Sequence, residues 1–573
     1  MNRKQRRAES KQTPSAGDAA NQLFAEAARL QRENKLVDAV RAYKRLLLLK
    51  PDRAEAHNNL GVVLLAQGKR AEASSHFSQA LTLMPQLFEQ FAGVCEMLTA
   101  VLPPLGEAMR RAVAAWPNLP TADQLFGSGG PRALYDDPLL LCMLQSLYIR
   151  RTELELVLTS LRTALLADAG NTHDESALTF CCALAKQCFI NEYVFAVTAG
   201  EDAQVDRLKA ILANLPSSGG AIAPMQLAAL AMYVPLHALP GADALVAHTW
   251  PPALAELLTQ QLREPLQERA LRAAIPRLTT IDDNVSLRVQ RQYEENPYPR
   301  WVHVAGGVEP VAIDQYLREM FPTAPFTPLG KTAELDYLVA GCGTGSHATG
   351  IAQKFLGARV LAVDLSISSL CYAKRNTPPL LGERIEYAQA DILKLPSIGR
   401  SFDVIDASGV LHHMADPIGG WRTLLTLLRS GGFMHLGFYS ELGRRDLTAA
   451  RAYIADGGYT PTPADIRRCR QDLLKTPLRT VARFTDFFST SECRDLLFHT
   501  QEVGLTIPAI RDFIAANGLR FIGFEFAAPA LQQFRELFAA NGWSMTDLDK
   551  WHAIETQYPH TFSAMYQLWV QKS

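Results

Sequence analysis

The stretch LDYLVAGCGTGSHATGIAQKF, Leu335 to Phe355, decides the fold of the second half of this 573-residue chain. It opens with a short, mostly apolar run, as in a strand buried on both faces. Gly341, Gly343 and Gly345 follow in G-x-G-x-G spacing, and helical text begins after them. VLAVDLSISSLCYAKRN then supplies a second strand ending in Asp364 and a second helix. RIEYAQADI is a third strand with Asp391 after it, FDVIDASGVLHHMADP holds a fourth, and FMHLGFYS is a fifth. Strands alternating with helices predict a mostly parallel, doubly wound sheet, whose ligands bind outside the carboxyl ends of the strands. A dinucleotide fingerprint would place its third glycine at 346, where Ser346 stands. At the end of the second strand Asp364 can accept both hydroxyls of a ribose.

The G-x-G-x-G loop resembles the first motif of class I S-adenosylmethionine (SAM)-dependent methyltransferases. That resemblance implies that Gly341, Cys342, Gly343, Thr344 and Gly345 lie against the methionine end and ribose of the cofactor, with Asp364 and Leu365 beside the ribose. It places Asp391 at the adenine amino group and Ile392 against the ring. Ser408-Gly409-Val410-Leu411-His412-His413 resembles the LHH segment of small-molecule methyltransferases, including quinone-methylating ones, and sets Ser408 and Gly409 at the cofactor. PIGGWRTLLTLLRSGG resembles the helix leading to the fifth strand, with Trp421, Leu424, Leu425 and Leu428 on one face and Gly431-Gly432 closing it. One position departs from the family: Val339 stands where an acid often holds the cofactor's amino group, so backbone carbonyls or another acid must serve. Asp336 is near in sequence and is expected below the pocket.

RFIGFEF (Arg520–Phe526) fits a sixth strand and AMYQLWVQK (Ala564–Lys572) an antiparallel seventh, which distinguishes this family's sheet from dinucleotide folds. The methyltransferase domain is thus expected over 334–573, with an insertion at 441–519 and a helical pair at roughly Ala530–Ile554. Insertions at the carboxyl edge form acceptor pockets, so part of the acceptor site is expected within Thr485–Ile510. His412 and His413 are candidate catalytic bases, since histidine titrates near neutrality. They serve equally as pocket lining, one capping the next helix and the other packing on the cofactor. His499 is a candidate acceptor-side group.

Ahead of this domain the chain is helical. AEAHNNLGVVLLAQGKRAEASSHFSQALTLMP (Ala54–Pro85) aligns with itself shifted by 34 residues, pairing Pro85 with Pro51, Phe77 with Tyr43, Ala73 with Ala39 and Leu64 with Leu30. Leu60-Gly61, Leu64, Gly68, Ala73, Phe77, Ala80 and Pro85 resemble the tetratricopeptide pattern, with His57 in place of its tryptophan. The earlier copy carries Ala27 at the glycine position and Asn34 at the turn, and a third copy extends towards Trp116-Pro117. Tetratricopeptide repeats are expected over 19–118 and a helical extension over 119–285, broken near Ser217–Gly220 and Pro240-Gly241. PLLLCMLQSLYI, LELVLTSLRTALL and ALTFCCALAKQCFINEYVF read as its helices. The repeats offer a groove for a protein partner or a packing platform for the rest of the chain.

RQYEENPYPRW (Arg291–Trp301) lies in the connecting segment 286–333. Pro297 and Pro299 restrict Asn296 and Tyr298 towards extended conformations, and aromatic faces attract a sulfonium charge. Tyr293, Tyr298 or Trp301 is expected either to line the cofactor or acceptor pocket as a lid or to staple helical half to sheet.

The expected architecture is therefore multidomain: an all-α tetratricopeptide-like part, then an α/β Rossmann-like class I methyltransferase with a seven-stranded sheet. The resemblance implies a SAM-dependent methyltransferase acting on a small molecule, lipid or sugar. A protein methyltransferase docking its substrate on the repeats and a non-catalytic SAM-binding scaffold stay open. The net charge of −1 and pI near 6.9 give no footprint for nucleic acid. Nine cysteines without a CxxC pair show no metal pattern and suit a reducing, cytoplasmic setting. The segment 1–18 carries Arg3, Lys4, Arg6 and Arg7 without an apolar run, which reads as a solvated tail rather than a signal peptide. QLAALAMYVPLHALP, the most apolar stretch, is too short to span a bilayer.

Overall fold

β1 (Leu335–Ala340) is the central strand of a seven-stranded sheet, flanked by β2 (Ala358–Asp364) and β4 (Phe402–Ala407). With β3 (Ile385–Gln389), β5 (Leu428–Phe438), β6 (Leu519–Phe524) and β7 (Tyr566–Lys572) the order is β3-β2-β1-β4-β5-β7-β6. β1 to β5 run parallel, and β7 is antiparallel to both β5 and β6. The computed structural model describes residues 16–85, 91–171, 174–218, 222–302 and 309–573. Arg3, Lys4, Arg6 and Arg7, and residues 219–220 of the expected glycine break, lie outside them.

The strands read as continuous apolar runs because each feeds two cores. Leu338, Leu361, Ile405 and Leu436 face one, while Tyr337, Val339, Val360, Val404 and Phe433 face the other. Burying a side chain of Leu or Phe size contributes about 1.5–3 kcal/mol, so both faces hold the sheet. Trp421 is fully buried on the first face, its ring 4.1 Å from that of Phe513 and 5.4 Å from that of Phe438.

Gly431-Gly432 does not close the preceding helix, as the sequence suggested. That helix ends at Leu427, and pairing with β4 opens at Leu428 opposite Phe402, shifts register, and resumes at Phe433 opposite Val404. Gly432 packs against the Asp403 carbonyl, 2.7 Å from where a Cβ would stand, so only glycine lets the strand pass there. The insertion between β5 and β6 has its own core of Leu447, Ile466, Leu473, Phe487 and Leu497, from the helices Arg445–Asp456, Pro463–Leu474 and Thr490–Phe498 and the turn Thr485–Phe487.

The chain divides into two compact units, one running to Asn191 with Val197–Leu258, the other comprising Glu192–Ala196 and Thr259–Ser573. Residues 259–285, read from sequence as the end of the helical extension, belong to the second unit. Arg375 reaches Glu264 and Glu268 at 3.1 and 2.8 Å, and Arg277 bridges Gln389 at the end of β3.

In the first unit, Ala16–Arg32 pairs with Leu36–Leu49 and Ala54–Ala66 with Arg70–Leu83. Asn34 and Gly68, 34 residues apart, take the left-handed conformation at the two turns (φ 57° and 77°). Gly61 lets the second pair close: a Cβ there would lie 2.6 Å from the Phe77 ring. His57, at the tryptophan position, bonds the Pro51 carbonyl through Nε2 and His76 through Nδ1, each at 3.0 Å. Phe91–Val101 and Pro103–Ala115 form a further pair, and Pro138–Ser146, Thr152–Ala167 and Glu175–Ile190 continue the helical text. The helix expected to run through FINEYVF ends at Ile190, since Glu192 and Tyr193 adopt positive φ (54° and 60°). Cys181, Cys182 and Cys188 are buried, and burial pushes the Cys182 and Cys188 thiols up to about 12. No described helix is long and apolar enough to cross a membrane.

Candidate cofactor and acceptor site

A cavity of about 690 Å³ lies in the second unit at the carboxyl ends of the parallel strands. Gly341, Cys342 and Gly343 line it where β1 gives way to the helix Ser346–Lys354. The loop turns tightly because Gly341, Gly343 and Gly345 all have positive φ (77°, 51° and 84°), which glycine adopts without strain. Asp364 binds this loop directly. Its Oδ2 accepts from the Gly343 amide at 2.8 Å, and its Oδ1 accepts from Ser366 at 2.8 Å. Burial raises its carboxyl above the usual range, against the pull of these bonds.

Asp391 follows β3 and is 2% exposed. Its Oδ1 caps the next turn by accepting from Leu393 at 2.9 Å, but its Oδ2 is buried without a hydrogen-bond partner. A buried acceptor left unpaired costs about 1–3 kcal/mol, so a donor from a ligand fits this place. Ile392, Leu393, Val285 and Val289 give the same end an apolar wall. The site thus offers mostly glycine backbone at the loop, a carboxylate for a diol, and an apolar slot ending in an orphaned acceptor. These features fit a nucleoside-bearing cofactor such as SAM.

The segment RQYEENPYPRW closes over the loop. Tyr293 stands in the last turn of the helix Asn284–Glu295, and the next residue, Glu294, accepts from the Ile367 amide and the Ser368 hydroxyl, both at 2.6 Å. Trp301 Nε1 donates to the Thr344 carbonyl at 2.8 Å, Tyr372 donates to the Trp301 carbonyl at 2.6 Å, and Thr344 Oγ1 donates to Pro299. The Tyr298 carbonyl lies 2.6 Å from where a Cβ on Gly343 would stand, so a side chain at 343 would push the segment away. Tyr293 and Tyr298 line the cavity with their rings 6.3 Å apart.

At the other end stand His413, Tyr439, Asp495, Met565 and Gln567. One residue, Gln501, orients two histidines in opposite senses. The Gln501 carbonyl lies 3.2 Å from His413 Nδ1, so that nitrogen carries the hydrogen and Nε2 carries the lone pair. The Gln501 amide donates to His499 Nδ1 at 3.0 Å, so in the neutral His499 ring Nε2 carries the hydrogen. His499 Nε2 lies 3.3 Å from the Tyr293 hydroxyl, which in turn donates to Asp495 Oδ1 at 2.6 Å. The two imidazoles stack at 3.8 Å. Burial pushes His413 down to about 4 and His499 down to about 3, so both are neutral at pH 7.

That depression has a consequence for stability. In the unfolded chain these rings take up protons near 6.5, and in the fold only near 4 and 3. Between those values the unfolded state binds more protons, so stability is lost as pH falls from about 6.5 towards 4. The urea midpoint at pH 5 is expected below that at pH 7, with a smaller gap in His499→Phe. An equal gap in that variant would show that the buried rings do not set the acid limit.

Of the residues singled out from sequence, Gly341, Cys342, Gly343, Asp364, Leu365, Asp391, Ile392, Ser408, Gly409, Tyr293, Tyr298 and His413 are on the cavity wall. Thr344 and Trp301 lie behind it in the contact between loop and lid, and Gly345 caps the following helix. His412 is not on the wall. It is fully buried and stacks on Tyr439 at 3.7 Å, because successive residues of the turn Leu411–His413 point in different directions. Neither histidine caps the next helix; Asp416 does, accepting from Gly419 at 2.9 Å. His499 backs His413 rather than facing the cavity. Asp336 lies away from the wall, paired with Arg359 and Arg429 at 2.8 Å each. Tyr439 and Asp495 were not legible: one follows a strand end like any core aromatic, and the other sits in an insertion whose fold the sequence did not reveal.

Residues 338–436 match the family model "Methyltransferase domain", residues 32–68 match "TPR repeat", and residues 54–87 match "Tetratricopeptide repeat". An uncharacterized protein of Synechococcus sp. is 27% identical over 266 residues, covering 43% of this chain and 61% of its own length. The ubiquinone biosynthesis O-methyltransferase of Methylocella silvestris is 37% identical over 100 residues, covering 18% of this chain and 38% of its own. The chain thus spans less than two thirds of these relatives. A solved structure of PKMT2 from Rickettsia typhi in complex with AdoHcy is similar over 45% of this chain and 52% of that one, at 18% identity and TM-score 0.36. The chain thus carries matches to tetratricopeptide repeats ahead of a match to a methyltransferase domain.

Proposed function

We propose that this protein transfers a methyl group from SAM to a hydroxyl-bearing small molecule, lipid or sugar that enters beside His413, Tyr439 and Asp495. The observation that carries the reading is a single cavity that runs from the orphaned Asp391 carboxylate to the open Nε2 of a neutral His413. SAM supplies an electrophilic methyl on a sulfonium with an excellent leaving group. Asp364 would hold the ribose hydroxyls, Asp391 the adenine amino group, and Ile392 the ring face. Tyr293 and Tyr298 would cover the reacting end and keep water out, which raises the value of every positioned charge. His413 Nε2 would take the acceptor's hydroxyl proton as the methyl arrives. Tyr293, Asp495 and His499 would hold that wall in place. The nine free cysteines favour a reducing cytoplasm as the setting.

The repeat matches favour a second reading, in which the acceptor is a protein docked on the tetratricopeptide helices. Incubating the full chain with methyl-labelled SAM and cell extract separates the two. Label in a lipid or small-molecule fraction is the expected result. Label confined to protein supports the second reading, and no label in any fraction overturns both.

A further inference from the structure

A cluster of two histidines and an aspartate lies beside the cavity, and the methyl-transfer reading leaves it unused. His347 stands in the first turn of the helix Ser346–Lys354, Asp406 near the end of β4, and His435 directly opposite it on β5. Asp406 Oδ2 is 2.8 Å from His347 Nε2 and 2.7 Å from His435 Nδ1, while Oδ1 accepts from Ser408 at 3.0 Å. Asp406 and His435 are buried, whereas the His347 side chain is 46% exposed and lines the cavity. The sheet register also aligns Asp406 with Val339, the β1 position where the family resemblance expects an acid.

Hydrogen bonding by a neutral His435 leaves this group incomplete. If a neutral His435 donates from Nδ1 to Asp406, its Nε2 is a buried lone pair without a partner, 3.6 Å from Glu525 Oε2. Lone pair and carboxylate then repel. Glu525 is itself held in place by Trp569 Nε1 at 2.9 Å and the Tyr316 hydroxyl at 3.0 Å. An ion bound at Nδ1 reverses the polarity of the ring. Nε2 then carries the hydrogen and aims it at Glu525, the carboxylate–histidine–metal arrangement that fixes a ligating imidazole.

We infer that His347 Nε2, Asp406 Oδ2 and His435 Nδ1 form a site for a divalent transition-metal ion, zinc first, with a fourth position on the side of the half-exposed His347. Two imidazoles and one carboxylate are ligands that zinc accepts, and three protein ligands with one open position is a geometry it adopts. The other group of this composition among the described residues, His413, Asp495 and His499, is unsuited. Its His499 Nδ1 is occupied by the Gln501 amide, so Nε2 holds a hydrogen instead of a lone pair. An ion at the first site would tie the glycine-loop helix to β4 and β5.

The test uses full-length protein stripped with a chelator and titrated with zinc against a chromophoric competitor. Wild type and His499→Phe are expected to bind a single equivalent, and Asp406→Asn and His347→Ala to lose it. Glu525→Gln is expected to weaken the site by ~10–100-fold. Should Asp406→Asn fail to fold, His347→Ala, a change at a half-exposed ring, carries the test. No zinc on wild type, unchanged binding in His347→Ala, or loss in His499→Phe overturns the assignment.

Discussion

Replacing His413 by glutamine is expected to slow methyl transfer by ~10²–10⁴-fold, the usual contribution of a positioned general base, while S-adenosylhomocysteine binds as to wild type. Glutamine keeps a polar group of similar reach but cannot take a proton. The ring lies at the proposed acceptor end of the cavity, its Nδ1 fixed by the Gln501 carbonyl at 3.2 Å, so its loss would leave the proposed nucleoside contacts untouched. A base held neutral down to about pH 4 also predicts turnover that is flat through neutrality and falls only in acid, with that acid limb missing in the variant. The measurement is label transferred per minute to whichever extract fraction accepts it, with cofactor affinity measured by calorimetry alongside. An unchanged rate would remove His413 from the chemistry and leave it as lining.

The second large effect is expected at the other end of the cavity. Asp364→Ala should weaken S-adenosylhomocysteine by ~10²–10⁴-fold, since each hydrogen bond to a carboxylate contributes about 1.5–3 kcal/mol and two ribose hydroxyls would be served under the proposed function. The same carboxylate accepts the Gly343 and Ser366 amides, so the variant also loosens the glycine loop. Asp364→Asn separates the two effects, because it keeps one acceptor oxygen and the shape while removing the charge. Calorimetry on the three proteins is sufficient. A wild type that binds nothing, or an alanine variant that binds as tightly, would sink the cofactor assignment at this residue.

The βα text of the second half was readable because both faces of the sheet are covered. Each strand then becomes a short apolar run, and each strand end carries its polar residue where a ligand can meet it, as with Asp364 and Asp391. The tetratricopeptide pairs were readable for a similar reason: Gly61 under Phe77 is a local requirement that recurs at a fixed period. Glycine positions that depend on a distant partner were read less well. Gly432 looked like a helix stop, yet it lies within β5, packed against the Asp403 carbonyl on the neighbouring strand.

The sequence by itself determined the sheet, the glycine loop, the two strand-end carboxylates and the repeat period, because these follow from local spacing and from side-chain type. Only the tertiary structure decided which of two adjacent histidines faces the cavity, since that depends on Gln501 arriving from the insertion to hold His413. The same holds for Tyr293 meeting Asp495 across 202 positions and for His347, Asp406 and His435 converging from a helix and two strands. Hydrogen bonds and ligand sets act over about 3 Å in space, and residues that far apart along the chain carry no periodic signal of their meeting.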